Sequence, residues 1–349
     1  MTQQARPPAP LIPGDRAPVF TGRTRTVDRY RFDATAGRWL VLGFIGNLSA
    51  PGTAEALVTL GNGVDVFDKV HAALFAVTND PQDAARPEPA GCILFHDMDG
   101  EIAALHGATN SRVWLIFDPG LILRRIVPMQ PDGSEAPSIL QFLRQVPPPG
   151  RHLGFEVPAP VMVLPDVFEP ALCDHLIGLY RQHGGQTSGF MRESGGKTVA
   201  VHDTSFKSRR DYLIEDQQLV ASIRQRFLRK VVPEIARVHF FQCTRMERYV
   251  VSCYAANEGG HFRPHRDNTT PATAHRRFAV SINLNDGFEG GEVEFPEYGP
   301  RRYRAPKGGA VIFSCSILHA VSRVTKGERF AFLPFLYDEA AAKLRENSA

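Results

Sequence analysis

The chain has 349 residues, 43% of them hydrophobic, and a formal charge of +3 from 40 basic and 37 acidic side chains. That length exceeds one ordinary domain and accommodates two, each with enough apolar residues for a packed core. The charges are spread along the whole chain, so nothing marks a surface for nucleic acid or membrane, and neither partner is expected.

Met1 to Pro13 is polar and proline-rich, without the basic start and apolar run of a secretory leader, and no later stretch is long enough to span a bilayer. A cytoplasmic location is the expectation. Over residues 11–146, short apolar runs such as Trp39-Leu-Val-Leu-Gly-Phe-Ile45, Ala73-Leu-Phe-Ala-Val77, Cys92-Ile-Leu-Phe95 and Val113-Trp-Leu-Ile-Phe117 alternate with helix-like stretches. This predicts an α/β layer with buried central strands. Residues 147–160, with Pro147-Pro-Pro-Gly150 and two further prolines, continue neither a helix nor a central strand and are read as a linker.

A second domain is expected over residues 161–338. Val161 to Leu164 reads as a strand, and Glu169-Pro170 opens a helix with Leu172, Leu176, Ile177 and Tyr180 on one face. Helices follow at Asp216 to Val231 and around Pro233 to Val238. The period then changes: Tyr249–Tyr254, Phe278–Leu284, Glu292–Phe295, Ala310–Ser314 and Arg329–Leu336 are short strand candidates, which predicts a small barrel or double sheet. The cysteines Cys92, Cys173, Cys243, Cys253 and Cys315 form no Cys-x-x-Cys pair and are odd in number, so reduced, buried thiols are expected.

The chemistry lies in His265, Asp267 and His319, with Arg329 further along. Two histidines and one carboxylate hold one face of an octahedral Fe(II) and leave positions open for other ligands. A lone His-x-Asp is weak evidence, and its neighbourhood has to carry the reading. Gly259, Gly260 and Pro264 argue against a helix that would pair His261 with His265 around zinc. On an extended chain His265 and Asp267 project from one face and chelate. His265-Arg266-Asp267 also has the look of a kinase catalytic loop, but Ala272 stands where that motif needs asparagine, and no glycine-rich phosphate loop precedes it. Arg329 lies among small and apolar residues and needs an anionic partner there. A bidentate 2-oxo acid would supply one, whereas a structural ion pair is the bland alternative. Ser281 and Asn283 share one strand face, opposite Val280, Ile282 and Leu284, and line the same pocket or face solvent.

These residues belong to a pattern that extends over Val161 to Asp338. Tyr254, Gly259-Gly-His-Phe262, His265-Arg-Asp267, Asn283-Leu-Asn285, Phe288-Glu-Gly-Gly-Glu292, Phe295, Lys307-Gly308, Phe313, His319, Val324 and Gly327-Glu-Arg329 together resemble the prolyl-4-hydroxylase-like branch of the Fe(II) and 2-oxoglutarate dioxygenases. The resemblance implies a double-stranded β-helix (jelly roll) with supporting helices. It implies iron ligation by His265, Asp267 and His319, anchoring of the 2-oxoglutarate carboxylate by Arg329, and a second contact from Tyr254. The implied reaction consumes O2 and 2-oxoglutarate, with ascorbate as reductant, releases succinate and CO2, and hydroxylates a C–H bond of a peptidyl, including prolyl, or small-molecule substrate. A retained Asp267 disfavours halogenation. The alternative is a metal- and 2-oxoglutarate-binding sensor without turnover.

The first domain resembles a different family. Gly14-Asp-Arg-Ala-Pro-Val-Phe20, Asp97-Met-Asp-Gly100 running to His106-Gly107, and Phe117-Asp-Pro-Gly120 are similar to peroxiredoxin segments, which implies a thioredoxin-like fold. The loop Gly46-Asn-Leu-Ser-Ala-Pro-Gly-Thr53 has no cysteine where peroxiredoxins keep the peroxidatic one, and Thr53 or a neighbour stands in its place. A threonine hydroxyl does not replace a thiolate in peroxide reduction, so thiol peroxidase activity is disfavoured. The basic segment Lys207-Ser-Arg-Arg210 and the arginines Arg263, Arg276 and Arg277 are read as a solvated loop, or as an attractor for an acidic substrate.

Overall fold

The computed structural model describes residues 10–194 and 197–346. The first part of the Met1 to Pro13 segment, residues 1–9, lies outside them. The chain divides into two compact units, Met1–Pro158 with Pro296–Pro300, and Ala159–Phe295 with Arg301–Ala349.

The first unit is built on β1 (Trp39–Gly46), α1 (Thr53–Gly61), β2 (Ala72–Thr78), β3 (Cys92–His96), α2 (Glu101–Leu105), β4 (Val113–Phe117), β5 (Leu123–Pro128) and α3 (Ala136–Gln145). The sheet order is β3-β2-β1-β4-β5, parallel from β3 to β1 and antiparallel from β1 to β5. The central strands are apolar throughout because both faces are covered, and Val41, Ile45, Leu74, Trp114 and Ile116 pack with Leu57, Leu60, Ile139 and Leu143 of the helices. This is the α/β layer with buried central strands that the alternation predicts.

The second unit opens with β6 (Met162–Leu164) and α4 (Pro170–His183), where Pro170 takes the first helical turn and spends no hydrogen bond there. Short strands β7 (Gln186–Thr187), β8 (Phe190–Ser194), β9 (Lys197–Val201), β10 (Lys207–Ser208) and β11 (Arg210–Leu213) follow. Asp216 caps α5 (Gln217–Arg226), which passes through a π turn at Phe227–Val231 directly into α6 (Val232–His239). Asp216 to His239 is therefore one continuous helical segment and not the two expected helices, because the π turn at Phe227–Val231 directly precedes Pro233 and accommodates it within the run.

The strands that complete the two main sheets are β12 (Arg245–Glu247), β13 (Val250–Ala255), β14 (His261–His265), β15 (Phe278–Asn283), β16 (Val293–Glu294), β17 (Arg302–Tyr303), β18 (Ala310–Ser314), β19 (His319–Val321), β20 (Glu328–Phe332) and β21 (Phe335–Tyr337), before α7 (Glu339–Glu346). They form a large sheet, β12-β21-β15-β20-β13-β11-β7 with β18 and β6 joined through β15, and a smaller one, β10-β14-β19-β16-β17. The result is a double sheet of the jelly-roll type and not a closed barrel. The expected strand Arg329–Leu336 is interrupted at Leu333-Pro334, since proline has no N–H to give the ladder, and pairing with β15 resumes at Phe335. Alternation survives: Phe330 and Phe332 enter the main core with Val251, Ile282 and Ile312, while Arg329 and Leu333 face the opposite side.

Candidate functional site

The site grows from β14 and β19 in the smaller sheet. His265 closes β14 and pairs in register with His319, which opens β19. Asp267 follows two residues later, held by its backbone N–H to the Cys315 carbonyl at 3.0 Å. One ligand atom from each of His265, Asp267 and His319 lies within 4.8 Å of the others. The imidazole Nε2 atoms of His265 and His319 stand 3.6 and 3.3 Å from the Asp267 carboxylate oxygens.

Both rings are oriented by the same local device. His265 Nδ1 lies 2.7 Å from the Arg263 carbonyl and His319 Nδ1 lies 3.0 Å from the Ile317 carbonyl, in each case two residues upstream. A carbonyl only accepts, so Nδ1 carries the proton and Nε2 presents its lone pair toward Asp267. Burial, with His319 next to it, pushes the His265 imidazole down to about 4, so the neutral, ligand-competent form prevails at neutral pH. Burial alone would raise the Asp267 carboxyl, but His319 and His265 hold it well below the usual range. Two lone pairs and a carboxylate aimed at one another repel unless a proton or a metal cation stands between them. The donor set fits a divalent metal.

Phe262 stacks on His265 with centroids 3.5 Å apart, and Phe313 flanks His319 at 4.6 Å. Phe206 meets Phe262 edge-on, and Phe190 of the β8–β9 hairpin packs on Phe206. The result is an aromatic wall beside the donors. His261 is excluded from the set: its two ring nitrogens lie against the Gly259 and Ser205 carbonyls.

Arg329 is 2% exposed and lies on the face of the large sheet that carries Tyr254, its register partner on β13. Its Nε donates to Asn283 Oδ1 at 2.9 Å and its Nη2 to Ser281 Oγ at 2.7 Å. Asn283 is itself fixed, because its amide donates to the Ala305 carbonyl at 2.7 Å and so turns its oxygen toward Arg329. Ser281 and Asn283 therefore face the arginine and not solvent. Both are neutral, and among the described residues no carboxylate pairs with this guanidinium. Arg329 Nη1 is buried with no partner. An orphaned, charged N–H is costly unless a ligand completes it. The structural ion pair considered from sequence is absent among the described residues. Gly291 makes room for this side chain, since a Cβ there would lie 2.9 Å from Arg329 Cδ and its φ of +71° disfavours any other residue.

The basic segment is not a solvated loop. Lys207 and Arg209 are 4% and 6% exposed. Strand β10 pairs with β14 and β11 pairs with β13, which carries the run into the sheets. Lys207 Nζ donates to Ser188 Oγ and the Gly189 carbonyl and sits 4.9 Å over the Phe262 ring. Asp211 gathers Arg209, Arg248, Ser188 and Ser252. Nothing in the sequence marks this network, because it joins residues from four separate segments. Arg276, in contrast, ion-pairs with Glu247 at 2.7 Å, and Arg263 is exposed.

In the first unit Thr53 starts α1, and its hydroxyl accepts from Arg112 at 2.5 Å. A Cβ on the preceding Gly52 would lie 2.2 Å from the Gln130 carbonyl oxygen. All five cysteines are free and buried. Burial pushes the Cys92 thiol far above the usual range, away from the thiolate that peroxide chemistry requires.

The sequence profile of the 2OG-Fe(II) oxygenase superfamily matches residues 249–337, a span that contains Tyr254, His265, Asp267, Ser281, Asn283, His319 and Arg329. A PKHD-type hydroxylase of Pseudomonas fluorescens is 32% identical over 91 residues, which is 24% of this chain and 39% of that protein. The chain thus spans well under two thirds of that relative's length. Among solved structures, a Trichoplax adhaerens prolyl hydroxylase in complex with a hypoxia inducible factor peptide fragment aligns with a TM-score of 0.41 and 16% identity, covering 54% of this chain and 87% of that one. Mycobacterium tuberculosis AhpC aligns with a TM-score of 0.33 and 19% identity over 39% of this chain and 92% of its own. The stretch 249–337 thus resembles the 2OG-Fe(II) oxygenase superfamily in sequence.

Proposed function

We propose that this chain is an Fe(II)/2-oxoglutarate-dependent dioxygenase that hydroxylates a C–H bond of a peptidyl or small-molecule substrate, prolyl residues among the candidates, with release of succinate and CO2. The observation that carries the reading is the presence of two complementary sets in one unit: His265, Asp267 and His319 converge as donors suited to a divalent cation, and buried Arg329 keeps an unpaired N–H suited to an anion.

When bound, Fe(II) would supply the oxygen-activating chemistry through the positions these three side chains leave open. The chain's own residues place the partners. His265 and His319 present Nε2 because their Nδ1 protons are committed to backbone carbonyls. Arg329, held by neutral Asn283 and Ser281, keeps its charge for the distal carboxylate of 2-oxoglutarate. Tyr254, Phe262, Phe288 and Val324 form an apolar cluster on the same side, which excludes water and strengthens that ion pair. Ascorbate would act as an external reductant. The first unit has no peroxidase role in this reading, since Thr53 carries a hydroxyl bound to Arg112 and burial holds the Cys92 thiol away from thiolate.

Succinate formation by the full chain with Fe(II), ascorbate, O2 and 2-oxoglutarate, beside a His265→Ala control, tests the proposal, together with anaerobic 2-oxoglutarate binding. Turnover lost in the control supports it. Failure of both turnover and binding sinks it, and metal-dependent binding without turnover on any peptide or small molecule screened would assign the site to sensing.

A further inference from the structure

Arg209, held by Asp211, is the strongest feature near the site that the reaction does not already use. We propose that Arg209 is a positioning residue that aims the Tyr254 hydroxyl at the cosubstrate carboxylate; this rests on the 2-oxoglutarate reading above. Arg209 Nη1 donates to Tyr254 Oη at 3.2 Å, and its Nη2 donates to Asp211 Oδ2 at 2.7 Å. Arginine only donates, so the phenol oxygen accepts here and its own proton must go elsewhere. Tyr254 is 1% exposed, and among the described residues none accepts that proton.

Its direction is set by the neighbours. Tyr254 and Arg329 are register partners on adjacent strands, with the Arg329 guanidinium carbon 5.3 Å from the centre of the tyrosine ring. Two unspent donors, the Tyr254 O–H and Arg329 Nη1–H, thus belong to neighbouring buried side chains on paired strands. One acceptor-only group with two oxygens satisfies both, and a carboxylate is such a group. Arg209 does not need to touch the ligand. It fills the oxygen lone pair, and its charge makes the phenol a stronger donor.

Asp211 holds Arg209 in place. Its carboxylate accepts from Arg209, Arg248, Ser188 and Ser252, and although burial opposes its ionisation, Arg209 holds it below the ordinary carboxylate range. A fork so anchored fixes the Nη1 direction. Lysine, with one nitrogen, cannot serve Asp211 and Tyr254 in this geometry.

The test is a double-mutant cycle on the full chain, reading the anaerobic dissociation constant of 2-oxoglutarate with Mn(II) in place of iron. Tyr254→Phe and Arg209→Gln are each expected to weaken 2-oxoglutarate by about tenfold, the loss of one charge-assisted hydrogen bond, with Mn(II) affinity unchanged. The double variant should be no weaker than Tyr254→Phe alone, because Arg209 acts only through that hydroxyl. Additive losses, or an Arg209→Gln protein that binds normally while Tyr254→Phe does not, would overturn the proposal. An unaffected Tyr254→Phe would remove the tyrosine contact itself, and a wild type that binds no 2-oxoglutarate would remove the function beneath it. Should Arg209→Gln not fold, Arg209→Lys, which keeps the charge beside Asp211, runs through the same cycle under the same criteria.

Discussion

His265 and His319 are cross-strand partners whose ring centroids lie 4.3 Å apart, each with Nδ1 bound to the carbonyl two residues before it. Because the backbone aims both lone pairs, the site is organised before any metal arrives. Asp267→Ala should therefore abolish tight Mn(II) or Fe(II) binding while leaving the fold intact, as the metal set loses its only charge. Calorimetric titration and a thermal transition measured on the same sample check this; retained metal affinity would remove Asp267 from the ligand set.

Arg329→Lys should keep the metal site and weaken 2-oxoglutarate by at least about tenfold. Lysine offers a point charge in place of a planar fork and cannot reach Asn283, Ser281 and a carboxylate together. Direct titration with 2-oxoglutarate and with metal separates the two effects, and equal losses on both would show that the substitution disturbs the fold.

Part of the candidate donor cluster was readable locally: His265 and Asp267 sit two apart, and glycine and proline around them exclude a helix, although the strand ends at His265 and Asp267 lies in the turn that follows. Ser281 and Asn283 were legible only as a shared face, since alternation gives the side of a strand but not what meets it. The arginine that would choose between solvent and pocket lies 46 residues after Asn283. The burial of Lys207 to Arg209 was not legible at all. A run of charges reads as a solvated loop unless the strands that cover it are known, and here β14 and β13 come from segments more than 40 residues away. Pro334, by contrast, carried a readable signal for the break between β20 and β21, since it cannot donate to a ladder.

Lys207 gives a pH signature. Burial, with Arg209 nearby, lowers its ammonium to about 6, against 10.5 for the free side chain. Between those values the unfolded chain holds the proton and the folded protein does not, so stability rises with pH across this window and flattens below about 6. Lys207→Met should remove that component: between pH 7 and 9 (roughly), the wild type should gain up to about 1.4 kcal/mol per pH unit relative to the variant. Denaturant unfolding of both proteins at several pH values checks it, and parallel pH profiles would show that Lys207 stays charged in the fold.

In the first unit, a single cysteine at the turn before α1 is not expected to give peroxidase activity. Gly52 has φ of +75°, and a Cβ there would meet the Gln130 carbonyl at 2.2 Å and the Gly133 nitrogen at 2.6 Å, both backbone atoms that cannot swing aside. Gly52→Cys must therefore displace the turn at residues 130–133 from the start of α1 or strain its own backbone, at a cost of at least about 2 kcal/mol. The variant should melt lower than wild type and show no rapid reaction with hydrogen peroxide, followed by loss of free thiol. A well-folded Gly52→Cys protein with fast peroxide consumption would show that this loop accommodates a reactive thiol without strain.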